Sequence, residues 1–252
     1  MTEPRGWTLD VGADLVARVV ATDVSDGDLA VGGEPDALAR RRRAVVDRPW
    51  VWLRQIHGSD VVEVGPDDPI ASVAGAPADA VVSTRLDVAL AAHSADCATV
   101  ALIGTGWADS ARGPVVAAVH AGWRGLGSGV LDRAVAAVRG AGASEVRAVL
   151  GPCIGVECYE FGEDELGRLV ERLGPTVAGR TREGRPALDV RLGVRAALGA
   201  LDVAVVGADL RCTACSTTTP AHPVLHSHRA RGDLGRQALV VWLEHPSSGA
   251  SR

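Results

Sequence analysis

The chain has 252 residues and a net charge of −5 at pH 7, and all 26 of its basic residues are arginine. That length suits one large domain with a full apolar core or two small ones. The absence of lysine excludes a Schiff base, a pyridoxal anchor and a Walker A phosphate loop. Apart from an arginine run at 40–43, itself in a helical pattern, the positive charge is scattered, so no nucleic-acid partner is expected. No apolar stretch reaches the roughly 18 residues of a membrane span, and no apolar run follows Met1 as a secretory signal would. Five cysteines, an odd number, then suggest reduced thiols and a cytoplasmic location.

In chain order, residues 16–21 read as a strand, 23–28 as a polar loop and 35–46 as a helix. A strand at 50–56 delivers His57, the turn Gly58-Ser59-Asp60 follows, and 61–64 reads as the return strand of a hairpin. Residues 65–77 are loop, and 80–83, 88–92 and 98–103 are strands, the last preceded by Asp96 and Cys97. After a strand at 115–120 and a helix from 130 to 139 come a strand at 146–150 and a helix at 163–173. A polar loop at 176–186, a helix at 188–198, a strand at 203–206 and an apolar run at 238–243 complete the pattern. One domain over 1–245 and a disordered tail at 246–252 are expected. The pattern favours an α/β fold, with one mixed sheet or two packed sheets.

The stretch from Val115 to Gly129 is the most informative. A β-branched run ends on His120, four glycines turn the chain between Gly122 and Gly129, and a helix resumes. Free N–H groups and a helix dipole would favour an anion beside Arg124 and Gly125. A plain crossover fits the same residues, with Arg124 paired to a structural carboxylate such as Asp96.

His57, Cys97 and His120 each end or interrupt an apolar segment. Two imidazoles and a thiolate leave a fourth position open on a tetrahedral ion, as catalytic zinc requires. Their long spacing equally fits a buried thiol and two unrelated histidines. Cys212 and Cys215 form C-x-x-C, but without a second pair nearby they read as ordinary loop thiols. Cys153 and Cys158 line the site or are simply small buried residues. His226 and His228 are expected to face the pocket, and His93, His222 and His245 to lie in loops or at the surface.

Several segments occur in a telling order: Gln55-Ile56-His57-Gly58, Ala78-Asp79-Ala80, Ala95-Asp96-Cys97 and His120-Ala121-Gly122-Trp123-Arg124-Gly125. Gly151-Pro152-Cys153-Ile154-Gly155, Cys158-Tyr159-Glu160-Phe161-Gly162, Ser227-His228-Arg229 and Gly235-Arg236-Gln237-Ala238 follow. Together they resemble the YfiH-type laccase-domain family, also called multicopper polyphenol oxidase-like, from about Trp50 to Leu243. The resemblance implies a four-layer α/β/β/α sandwich with mixed sheets. It implies a metal site of His57, Cys97 and His120, the same residues being catalytic, with Arg124, Asp96, Asp79, Arg229 and Gly125 toward substrate.

The implied activities are phosphorolysis of adenosine, inosine, guanosine and methylthioadenosine, with phosphate as co-substrate, and deamination of adenosine. Zinc is the expected ion and copper the less favoured one. In deamination an activated water attacks C6 of the adenine, and Asp96 or Asp79 shuttles the proton. Two alternatives use the same residues. Cys97 with His120 as base could split an amide in a peptidoglycan precursor, or copper could support polyphenol oxidation. The sequence departs from the family pattern in three places. Thr22-Asp23-Val24-Ser25-Asp26-Gly27 lacks an expected arginine, Arg40-Arg41 replaces an Asn-Arg pair, and Thr99 replaces a proline. The first two changes fall where substrate contacts are expected, so they bear on substrate preference rather than on the metal site.

Overall fold

The computed structural model describes residues 5–106, 113–219 and 222–246; of the expected tail, 247–252 lie outside them. The strands are β1 (Gly6–Gly12), β2 (Leu15–Ala21), β3 (Trp50–Trp52), β4 (Val61–Val64), β5 (Ala80–Ser83), β6 (Ala89–Ser94) and β7 (Ala98–Thr105). They continue as β8 (Val115–Ala121), β9 (Glu145–Leu150), β10 (Ala178–Arg180), β11 (Pro186–Leu188), β12 (Ala204–Ala208), β13 (Thr217–Thr219), β14 (His222–Pro223) and β15 (Gln237–Glu244). The α-helices are α1 (Pro35–Val45), α2 (Ile70–Val73), α3 (Trp123–Ser128), α4 (Val130–Gly140), α5 (Glu163–Leu173), α6 (Val190–Gly199) and α7 (His228–Arg231). None is long and apolar enough to cross a membrane.

Two mixed sheets form the centre. One has the order β1-β2-β15-β6-β3 and the other β12-β9-β7-β8-β5-β4. The period of two along each strand decides the layers. On β15, Leu239, Val241 and Leu243 face the second sheet, meeting Val116 and Ala118 of β8 and Ala101 and Ile103 of β7. The alternate residues Ala238, Val240 and Trp242 turn outward toward Leu38 of α1. On the far side of the second sheet, Val115, Ala117 and Val119 of β8 pack on Leu131, Ala134 and Val138 of α4 and on Val194 and Leu198 of α6. Strands buried on both faces explain why β7 and β8 read as continuous apolar runs rather than alternating ones. This is the four-layer α/β/β/α arrangement, with mixed sheets.

Helix ends follow local chemistry. The Glu34 carboxylate accepts the N–H groups of Asp36 and Ala37 at the start of α1, and Asp189 caps α6 by accepting from Leu192. Three acidic residues open α5 and Arg172 lies in its last turn, as the helix dipole prefers.

Four expectations need correction. Residues 50–56 and 61–64 do not form a hairpin: β3 pairs with β6 in one sheet and β4 with β5 in the other, both in parallel. The chain between them therefore passes from sheet to sheet and carries His57 with it. Residues 6–12 form the edge strand β1, unread because only Leu9 and Val11 of its seven residues are buried. The polar loop at 176–186 contains most of the small hairpin β10–β11. The glycine turn after His120 is a short helix, α3, begun by Gly122 and closed by Gly129 at φ 84°. Glycine is a poor helix former, by roughly 1 kcal/mol each. Burial of Leu126 and the close fit of Gly125 override that preference, since a Cβ at Gly125 would stand 3.0 Å from the Gly58 carbonyl oxygen.

Candidate active site

The register of β7 against β8 sets Thr99 beside His120 and Ala98 beside Ala121. Cys97, just before β7, thereby comes next to Gly122, just after β8. A Cβ at Gly122 would lie 3.1 Å from the Cys97 sulfur and 3.0 Å from His57 Cδ2, so the residue there must be small. His57 has a left-handed backbone, φ 59°, which is costly for a non-glycine residue. The compensation is local. The N–H groups of Ile56, His57 and Gly58 all donate to the Asp79 carboxylate, at 3.2, 3.0 and 2.7 Å.

The same carboxylate, with no side-chain exposure, lies 2.8 Å from Nδ1 of buried His120. Asp79 therefore fixes both histidines, one through its ring and one through its backbone. With Nδ1 engaged, Nε2 is the nitrogen His120 presents to the cavity. The His57 and His120 rings meet edge to face with centroids 4.8 Å apart, and Cys97 Sγ is 3.9 Å from His57 Nε2. One ligand atom from each of His57, Cys97 and His120 lies within 4.8 Å of the others. Two imidazoles and a thiol, with a carboxylate behind one imidazole, form a donor set that fits zinc with an open coordination position.

Electrostatics agree with this grouping. Burial alone would raise the Cys97 thiol, but the hydrogen bonds of His120 and His57 outweigh it and bring the pKa down to about 6. Burial would likewise lower His120, yet Asp79 and Cys97 hold its pKa up at about 9. For Asp79, burial works against ionisation, and the hydrogen bonds from His120 and the Gly58 and His57 amides still leave it below the usual range.

A cavity of about 920 Å³ opens above these groups, lined also by Asp96, Trp123, Arg124, Tyr159, Phe161, His228 and Arg229. Asp96 does not pair with Arg124. Its Oδ1 accepts from the hydroxyls of Thr213 and Ser227, both at 2.6 Å, and its Oδ2 from the Arg229 amide at 2.6 Å. Asp96 thus pins the start of α7 to the Cys97 loop. Arg124 sits 4.3 Å from the Trp123 ring and makes no ion pair among the described residues. The Arg229 guanidinium donates to the Glu160 carbonyl at 2.6 Å and lies over Tyr159. Gly125 is buried inside α3, away from the cavity lining, and Ser128 donates to the Gly125 carbonyl instead of capping α4.

Sequence reasoning missed His93. It was expected in a loop or at the surface, yet it is buried in β6 and lines the cavity, with neither ring nitrogen hydrogen-bonded. Its signal was parity, since positions 89, 91 and 93 share a face of one strand. Gln55 was also passed over; it exchanges hydrogen bonds of 2.8 Å with the His93 backbone. His228 faces the cavity as expected, whereas His226 does not line it. His222 and His245 are exposed, as expected.

Cys212 and Cys215 are free thiols at a turn, as read, but they have neighbours from elsewhere in the chain. Cys158 comes to Cys212 and Cys215 from a distant loop, and with Glu157 the four ligand atoms lie within 4.8 Å of one another. Cys153 is not one of these four: it is fully buried, its backbone is bridged to that of Cys212, and burial pushes its thiol up to about 12.

The fold and the site together define an α/β/β/α protein with a thiol–imidazole centre at the end of its inner strands. Residues 19–244 match the family described as multi-copper polyphenol oxidoreductase laccase, and the chain belongs to it. It is similar to a purine nucleoside phosphorylase of Streptomyces griseus, 40% identical over 224 residues that cover 85% of each chain. A purine nucleoside phosphorylase of Corynebacterium glutamicum is 35% identical over 221 residues, 84% of each chain. Among solved structures, a Neisseria meningitidis protein is similar with a TM-score of 0.74 and 28% identity, covering 96% of this chain and all 100% of the other. YlmD from Geobacillus stearothermophilus gives a TM-score of 0.71 at 26% identity, over 96% and 97% of the two chains.

Proposed function

We propose that the cavity binds purine nucleosides and cleaves their glycosidic bond with phosphate, acting on adenosine, inosine, guanosine and methylthioadenosine, and that it also deaminates adenosine. The carrying observation is the Asp79–His120 pair set against Cys97 and His57 in a cavity also lined by Arg124, whose guanidinium makes no ion pair among the described residues. The relatives' names support the substrate class. Zinc fits the His57, Cys97 and His120 donor set better than copper, because thiolate and imidazole with one open position is a zinc pattern. Bound there, it would supply Lewis acidity at the reacting atom and hold Cys97 deprotonated.

The chain's own residues account for binding and orientation. Trp123, Tyr159 and Phe161 form an aromatic wall, with centroids of 5.3 Å between Phe161 and each of the other two, on which a purine can stack. Arg124, 4.3 Å from the Trp123 ring centroid, would grip a phosphate through two parallel hydrogen bonds. In phosphorolysis a phosphate oxygen bonds to the anomeric carbon while the carbon–nitrogen bond breaks. The bonding pair leaves on the base, which takes up a proton. In the deamination, water replaces the amino group at C6 and ammonia departs.

A second reading rests on the low Cys97 pKa. A thiolate between two imidazoles, one backed by Asp79, is also a nucleophile–base arrangement suited to splitting an amide in a peptidoglycan precursor. The deciding experiment incubates purified protein with adenosine or inosine, with and without phosphate, and follows products by chromatography and metal content by elemental analysis. Ribose 1-phosphate formed only with phosphate, and lost in Cys97→Ala together with about one zinc per chain, is the expected result. Full amide hydrolysis by zinc-free protein would establish the thiol reading instead. Copper binding with polyphenol turnover would establish the oxidase.

A further inference from the structure

We propose that Cys158, Cys212 and Cys215, with Glu157, form a second zinc site, separate from the cavity and structural in role. Three sulfurs from two segments far apart in sequence converge with a carboxylate, all four ligand atoms within 4.8 Å of one another. A tetrahedral zinc with Zn–S bonds of about 2.3 Å needs sulfur separations of about 3.8 Å, so the groups stand close to ligation distance. Four protein ligands close the coordination sphere, which is the mark of structural rather than catalytic zinc. Sulfur-rich donors also favour zinc over magnesium or calcium.

Two N–H donors face the sulfurs. The Gly155 amide donates to Cys212 Sγ at 3.1 Å, and the Arg182 guanidinium donates to Cys215 Sγ at 3.4 Å. Both contacts stabilise thiolates. Cys215 Sγ lies 3.4 Å from Glu157 Oε1, so the carboxylate already points into the group. A Cβ at Gly155 would stand 2.3 Å from Glu157 Oε2, so glycine is what lets the carboxylate fold back there. The turn that carries the C-x-x-C is tied at both ends: Ser216 N donates to the Cys212 carbonyl at 3.0 Å, and its hydroxyl accepts from Cys212 N at 2.9 Å. Three thiolates and a carboxylate carry four negative charges; zinc and Arg182 together offset three of them.

The position explains what such an ion would do. Cys158 immediately precedes Tyr159, which with Phe161 lines the cavity, and Cys212 immediately precedes Thr213, which holds Asp96. An ion here clasps two walls of the pocket together without touching substrate.

The test measures zinc in protein expressed with added zinc, using Cys97→Ala to remove the cavity site. Cys97→Ala should retain about one zinc per chain, and Cys97→Ala combined with Cys215→Ser should retain about none. Loading the Cys97→Ala protein with cobalt should give thiolate charge-transfer absorption that is lost when Cys215→Ser is added. Circular dichroism reports whether each variant folds. Folded Cys97→Ala protein that takes up neither zinc nor cobalt overturns the site. A Cys212–Cys215 disulfide in protein isolated without oxidant overturns it too.

Discussion

The Asp79 carboxylate lies 2.8 Å from His120 Nδ1 while accepting the backbone amides of Ile56, His57 and Gly58. One buried charge therefore orients both imidazoles of the site. Asp79→Asn keeps the shape but removes the charge and the strongest acceptor. Partners of this kind are worth roughly ten- to a hundredfold in metal affinity or activity. Titration of the metal-stripped variant with zinc should show a loss of that size, with the far-ultraviolet spectrum unchanged. Wild-type zinc affinity would remove Asp79 from this role.

Cys97 in the metal-free protein should titrate well below an ordinary thiol. The folded pKa of about 6 against a reference of 9.0 means that the thiolate persists through neutral pH and is lost only as the pH falls through about 6. Alkylation by iodoacetamide, followed at Cys97 by mass spectrometry, should give a rate profile with its midpoint near that value. Added zinc should protect the residue. A midpoint at the reference value would mean that the imidazoles do not act on the thiol.

Arg124 is proposed to bind the phosphate co-substrate. Arg124→Ala should lower kcat/KM for phosphate by roughly ten- to a hundredfold, or about 1.5–3 kcal/mol, the loss of one charge-assisted contact. Adenosine deamination, which uses water, should change far less. Equal losses in the two reactions would reduce Arg124 to a wall residue.

His93 carries a stability consequence. Burial and the positive charge of Arg42 push its pKa from 6.5 down to about 3, so the folded protein holds it neutral. Below pH 6.5 the unfolded chain binds a proton that the folded one refuses, and stability falls as pH drops toward 3. The slope from this residue approaches about 1.4 kcal/mol per pH unit. Urea unfolding of wild type and His93→Leu across that range should show a shallower acid decline in the variant. Parallel declines would mean that His93 protonates without cost.

Most of the central strands, β7 and β8 among them, and the residues His57, Cys97 and His120 were legible because each leaves a local mark: an apolar run, a polar residue at its end. Asp79 carried a weaker mark, standing in a short motif with no hint of its four donors. What stayed illegible was long-range. Nothing near residue 61 tells that β4 joins a different sheet from β3, since strand partners are chosen by the whole core. Nothing near Cys212 announces Cys158, 54 residues earlier in the chain. His93 was misplaced because its polarity outweighed its parity in the reading, whereas burial follows the strand's geometry. Gly122 was counted among turn glycines, although what it supplies is clearance for the His57 and Cys97 side chains flanking it.

The last strand, β15, is the middle strand of its sheet, paired with β2 on one side and β6 on the other. A nascent polypeptide lacking its final residues therefore presents two open strand edges instead of a finished sheet. The Ser227 and Arg229 contacts to Asp96 also arrive late in synthesis. Such sequence-distant pairings are slow to form and leave the unfinished chain prone to aggregation. Premature termination anywhere before β15 should thus yield insoluble material rather than a partly active fragment, and supplying the missing strand in trans as a peptide is the natural route to rescue.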